Sequence, residues 1–134
     1  STLKVTNIQA TGETATRAVS GVAAAWVNFN GIGTIAIRDS VNVASLTDNG
    51  TGTYGINYAS NMNNTNYCVQ VTSSYGSTEA GGNDDTYYIN GIGTLQRASG
   101  NTATGQTKII VGYDFAISNQ DQAQTMVTTH GDLA

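Results

Sequence analysis

The stretch from Ala24 to Tyr58, AAWVNFNGIGTIAIRDSVNVASLTDNGTGTYGINY, decides the fold. Apolar residues recur within it at every second position: Val27 and Phe29, Ile35 and Ile37, Val41 and Val43, then Ile56 and Tyr58. That is the period of a half-buried strand and not of a helix, whose apolar positions fall three or four apart. The runs are separated by Asn30-Gly31-Ile32-Gly33 and by Asp48-Asn49-Gly50-Thr51-Gly52, residues that supply the positive φ of hairpin turns. The sequence therefore predicts four short strands folding on themselves as an antiparallel meander.

Working outward, Tyr67 to Ser73 alternates again, with Tyr67, Val69 and Val71 on one face, and reads as a fifth strand after the asparagine-dense loop Asn57 to Asn66. Tyr87 to Asn90 resumes the pattern. Asn30-Gly31-Ile32-Gly33-Thr34 returns as Asn90-Gly91-Ile92-Gly93-Thr94, so one hairpin design is expected twice. Lys108 to Ser118 reads as a long strand, with Ile109, Val111, Tyr113, Phe115 and Ile117 facing one way, and Thr125 to Thr129 as its expected partner. Eight to ten short strands, frequent turn signals and no helical pattern give an all-β class, an antiparallel β-sandwich or jelly-roll-like domain. The expected core is Val27, Phe29, Ile35, Ile37, Val69, Val71, Ile109, Val111 and Phe115. Trp26 points opposite to Val27 and Phe29 and needs a second cover, which leads to the expectation of a homotrimer with part of Trp26 to Tyr58 packed against neighbouring copies.

Composition narrows the function. At 134 residues the chain amounts to one domain, and only 10% of it is charged, with a net charge of −4. Its pI near 4.5 and the scatter of Lys4, Arg17, Arg38, Arg97 and Lys108 argue against nucleic acid as a partner. No run approaches the length of a membrane-spanning helix, so no membrane insertion is expected, and no basic-then-apolar leader is present at the start. Cys68, the single cysteine, reads as a small strand residue, and no intramolecular disulfide can form.

Catalytic and cofactor motifs are not evident. His130 is the lone histidine, close to the chain end, and no Gly-x-Ser-x-Gly elbow accompanies the serines. Glu79, Asp84, Asp85, Asp39, Asp48 and Asp114 are the acids available to a glycosidase pair. The repeat of the extended β-helix on which depolymerising spikes usually build their groove is missing. Asn83-Asp84-Asp85 offers oxygen ligands for Ca²⁺ without EF-hand spacing, and reads first as a solvated loop. The expectation is a non-enzymatic module with no cofactor and no metal.

The combination of Trp26-Val27-Asn28-Phe29-Asn30-Gly31, an isoleucine strand ending in Arg38, Asp48-Asn49-Gly50-Thr51-Gly52, Met62 and Asn66-Tyr67 resembles a module near the C-terminal end of tail fibres and receptor-binding proteins of tailed bacteriophages, including those of marine cyanobacteria. The resemblance covers Ala24 to Val71. Asn63 stands where that family often has a proline. The resemblance implies a distal fibre domain that binds a host cell-surface glycan or outer-membrane receptor, trimeric and associated with other tail or virion proteins. Such a domain is made in the bacterial host cytoplasm and is carried on the virion, outside the cell after release. Residues 1–22 then serve as a connector to an upstream stalk and 23–134 as the sandwich head. A chain opening on Ser1 instead of methionine is expected to have been processed or cut from a longer one. The competing readings are a structural decoration or connector domain of the virion and a glycan-depolymerising enzyme.

Within the head, recognition is expected on the loop Ser74 to Thr86 with Asn101 to Gln106, and on Tyr75, Glu79, Asn83, Asp84, Asp85 and Tyr87 in particular. These segments cannot serve the core, and they combine aromatic faces with hydrogen-bonding groups, the chemistry of adaptable binding loops. The ordinary alternative is a solvated loop, and the turns Asn30 to Gly33 and Asp48 to Gly52 are next in line.

Overall fold

The computed structural model describes residues 1–8, 17–18, 22–74, 102–113, 118–119 and 121–134. Its strands are β1 (Asn7–Ile8), β2 (Arg17–Ala18), β3 (Ala23–Asn30), β4 (Ala36–Val41), β5 (Val43–Asp48), β6 (Thr53–Tyr58), β7 (Cys68–Ser74), β8 (Thr102–Ala103), β9 (Gln106–Ile110), β10 (Gly112–Tyr113), β11 (Ser118–Asn119) and β12 (Gln124–His130). Among the described residues there is no helix. All pairing is antiparallel, in a sheet of order β4-β3-β12-β7, a second of order β5-β6-β9-β8, and two small ribbons, β1-β2 and β10-β11. The chain is an all-β sandwich.

Side chains alternate across a strand, so each sheet offers one face to the other. From β3 come Ala25, Val27 and Phe29, from β6 Tyr54, Ile56 and Tyr58, from β9 Ile109 with Val111 just beyond it, and from β12 Val127, all buried in a single cluster. Burying each large apolar side chain contributes about 1.5–3 kcal/mol. Two contacts join the layers directly. The Phe29 and Tyr54 rings meet edge to face with centroids 5.0 Å apart, and the Tyr58 hydroxyl lies 3.0 Å from Thr129 Oγ1. Threonines at 107, 125 and 129 also point into this layer and are fully buried, which keeps the strand period but dilutes the apolar pattern.

The four predicted strands of residues 24–58 are present, but they do not form one meander. β3 pairs with β4 and β5 pairs with β6, and the two hairpins belong to different sheets. The chain changes sheet at Asn42, between β4 and β5, where φ is +54°. The Asn42 side chain fixes this corner: its Nδ2 donates to the carbonyls of Ala24 and Ser60, each at 3.1 Å, and its Oδ1 accepts from the Ser60 N–H at 2.7 Å.

Three further expectations change. Ile37 is 38% exposed and not core. It lies on the edge strand β4, past an irregularity in which Asn28 faces Asp39 and Phe29 faces Ile37, leaving Arg38 as an extra residue. The strand expected from Lys108 to Ser118 ends as β9 at Ile110. Its partner β6 begins at Thr53, just after the turn, so pairing closes with the Val111 N–H on the Gly52 carbonyl at 2.7 Å, and β10 then pairs with β11. Thr125 to Thr129 pairs instead with β3 and β7, because β12 is inserted between them in the other sheet. Val27, Phe29, Ile109 and Val111 are buried as expected, and Ile35, Val69 and Val71 pack against the cluster half-buried. Phe115 lies outside the described residues.

Candidate functional site

Strand directions sort the connections onto two ends of the sandwich. β3 enters at Ala23 beside His130, the last residue of β12. The chain end continues there, where the Asn63 N–H donates to the Asp132 carbonyl at 2.8 Å and the Ala134 N–H to the Asn61 carbonyl at 2.9 Å. Tyr67 closes this end with its hydroxyl on the Ala103 carbonyl at 2.9 Å. The opposite end carries the turn between β3 and β4, the turn between β5 and β6, and the approach to β12 through Asp121 and Gln122. β7 finishes at this end, with Ser74 opposite Gln124. β8 enters from the same direction, since it runs antiparallel to β9 toward Gln106.

Tyr75, Glu79, Asn83, Asp84, Asp85 and Tyr87 follow β7, whose last residue, Ser74, lies at the loop end of the sandwich. Those six residues lie outside the described residues, as do the second Asn-Gly-Ile-Gly copy at 90–93 and Asn101. The two turns next in line, Asn30 to Gly33 and Asp48 to Gly52, sit at that same end. Residues 102–106 are the described part of the expected Asn101 to Gln106 segment. They lie at the opposite end, where the Gly105 carbonyl accepts from the Tyr58 N–H at 2.9 Å.

One carboxylate organises the loop end. Asp121 Oδ1 accepts the Gly52 N–H at 2.7 Å and the Tyr54 hydroxyl at 2.7 Å. The same hydroxyl is 3.0 Å from the Gly31 carbonyl, and the Gly31 N–H donates to the Gln122 carbonyl at 2.9 Å. Both turns are thus joined to the entry of β12 around Tyr54. Each turn is also braced locally. The Asn30 side chain donates to the Ile32 carbonyl at 3.0 Å and accepts the Ile32 N–H at 3.1 Å, and Asp48 Oδ1 accepts the Gly50 N–H at 2.9 Å. Burial, then the Asp121 hydrogen bond and the Asp121 and Asp48 charges, push the Tyr54 phenol above its ordinary range, so it stays a neutral donor. Outside this braced floor Gly33, Thr34, Asn49, Gly50 and Thr51 are exposed. The arrangement presents small polar groups on fixed backbone, a geometry suited to holding a hydroxyl-rich ligand by hydrogen bonds.

Asp121 and Tyr54 were not among the residues the sequence singles out. Tyr54 carries the inward strand period, but its hydroxyl partner lies 67 positions away. The only local signal for Asp121 is an acid just ahead of a strand.

Two glycines of the first turn differ in a way that tests this floor. A Cβ on Gly31 would stand 2.9 Å from Tyr54 Cζ and 3.0 Å from the Gln122 carbonyl oxygen, whereas one on Gly33 would meet nothing within 4 Å. Gly31→Ala should cost about 1–3 kcal/mol through overpacking. Gly33, at φ +65°, needs only a residue that tolerates the left-handed region, so Gly33→Asn should cost less than about 1 kcal/mol. Urea unfolding midpoints of the two variants provide the comparison.

No protein-family model, no curated protein and no solved structure matches the chain.

Proposed function

We propose that this chain is a distal receptor-binding domain of a bacteriophage tail fibre, a non-enzymatic module that holds a glycan on the host surface and is displayed as a homotrimer. The observation that supports the reading most is the two-ended layout. The chain enters the sandwich at Ala23, at the end where it also finishes, and the polar turns gather at the far end around Asp121. A head carried on a stalk that joins before Ala23 would present those turns outward. Their composition suits the task, since hydroxyl and amide groups pair with sugar hydroxyls. Single sites of this kind bind weakly, and several copies on one fibre raise the effective concentration of the second contact.

The experiment is attachment of the purified protein to host cells. Tyr75→Ala combined with deletion of Gly81-Gly82-Asn83 should abolish attachment while the oligomer and its thermal midpoint stay unchanged. Retained attachment by the folded variant would move recognition to the turns Asn30 to Gly33 and Asp48 to Gly52. Release of reducing ends from host polysaccharide would overturn the non-enzymatic part of the reading.

A further inference from the structure

Cys68 and His130 are far apart in sequence and meet through strand pairing. They are the last pair in the register of β7 and β12, directly opposite each other. Along β12 the side chains of Thr125, Val127 and Thr129 are buried, and along β7 Val69 and Val71 pack against the core. Alternation therefore puts Cys68 and His130 together on the outer face of the β4-β3-β12-β7 sheet. Cys68 is exposed on an edge strand, and His130 is half-buried. The backbone beneath the pair is held on both sides. A Cβ on Gly131, the residue after His130, would stand 2.7 Å from the Cβ of Tyr67, the residue before Cys68. Tyr67 is itself tied down by its hydroxyl, which donates to the carbonyls of Ala103 and Gln106 at 2.9 and 3.1 Å.

We propose that Cys68 and His130 together bind a transition-metal ion of the Zn²⁺ class. Side chains directly opposite on neighbouring antiparallel strands have Cβ atoms about 4.5–5.5 Å apart. From that spacing a cysteine sulfur and an imidazole nitrogen both reach one ion, at about 2.3 Å and 2.0–2.1 Å. Thiolate and imidazole select such an ion over Ca²⁺ or Mg²⁺, which take oxygen ligands. On binding, the thiol gives its proton to solvent and its sulfur lone pair forms the bond to the metal, while His130 contributes the lone pair of a neutral ring nitrogen. Among the described residues no third His, Cys, Asp or Glu joins them, so the pair supplies two of the ion's positions and water fills the rest. An ion held this way clips edge strand β7 to β12 at the end where the chain finishes, away from the polar turns around Asp121. No ligand spacing marks the site in the sequence, because only the register of two strands brings its residues together.

Titration with Co²⁺ tests it, with the thiol kept reduced. Co²⁺ enters Zn²⁺ sites and shows thiolate ligation as a charge-transfer band in the near ultraviolet. Wild type should develop the band, and Cys68→Ser should lose it. His130→Gln should weaken Co²⁺ binding by at least about tenfold, the smallest loss that removing even an outer partner of a metal ligand brings. Zn²⁺ should raise the thermal midpoint of wild type and of neither variant, since an ion that binds only the folded chain stabilises it by mass action. Both side chains lie on the outer face, so circular dichroism of the metal-free variants should match wild type. A wild type that shows no band would overturn the site. So would a His130→Gln variant with wild-type affinity, which would leave a thiol binding metal alone.

Discussion

Tyr54→Ala is expected to lower the unfolding free energy by about 3–5 kcal/mol, the range for removing a large buried ring. Tyr54 is fully buried, its ring meets Phe29 across the sheets, and its hydroxyl joins Asp121 and the Gly31 carbonyl. The two contributions separate in Tyr54→Phe, which keeps the ring contact and leaves the Asp121 and Gly31 oxygens short of a donor, for about 1–3 kcal/mol. Urea unfolding of both variants gives the comparison. A Tyr54→Ala loss below that of Tyr54→Phe would show that the phenol, and not the ring, holds the layers together.

The same residue sets an alkaline limit. Burial raises the phenols of Tyr54, Tyr58 and Tyr67 above the ordinary value near 10. A pKa higher in the folded than in the unfolded chain means that the unfolded state loses its protons first. The stability linked to these groups is complete below about pH 10 and falls as the pH rises beyond it. Tyr54→Phe, with one such group fewer, should show a shallower decline of thermal midpoint above that pH than wild type.

Strand identity was legible because the period of two is local. Val27 and Phe29, Ile56 and Tyr58, and Val69 and Val71 lie on inner faces as their spacing implies. Pairing was less legible. Every strand in the sandwich offers an apolar inner face, so alternation alone does not say which partner each takes, and β12 serves β3 and β7 instead of the strand nearest in sequence. Ile37 shows the second limit. The register sets it opposite buried Phe29, but β4 is an edge strand, and that position leaves Ile37 38% exposed. The orientation of Trp26 away from Val27 and Phe29 was readable from parity, whereas the Asp121 hub was not, because it joins residues far apart that have no pattern of their own.

The meander expectation failed at a single residue, and that residue carries the second large effect. Asn42 adopts a left-handed φ of +54° and its side chain makes three hydrogen bonds, to Ala24, to Ser60 and from Ser60, while its carbonyl accepts the Ala59 N–H at 3.1 Å. A hairpin continuing from β4 would need β5 to turn back alongside it in the same sheet. The pinned corner instead sends the chain to the other layer and ties the corner to β3 and to the segment after β6. Asn42→Ala removes the three side-chain bonds, each worth about 0.5–1.5 kcal/mol, and places a Cβ-bearing residue without local support in a conformation that costs it roughly 1–2 kcal/mol. The expected loss is about 2.5–6.5 kcal/mol in total. Asn42→Gly loses the same hydrogen bonds but little of the backbone preference, so it should retain about 1–2 kcal/mol relative to alanine. Equal losses in the two variants would assign the corner wholly to the side chain. A loss of only a few tenths in both would mean that the sheet change is held by packing of Val43 and Leu46 against the core, and that Asn42 merely occupies the bend.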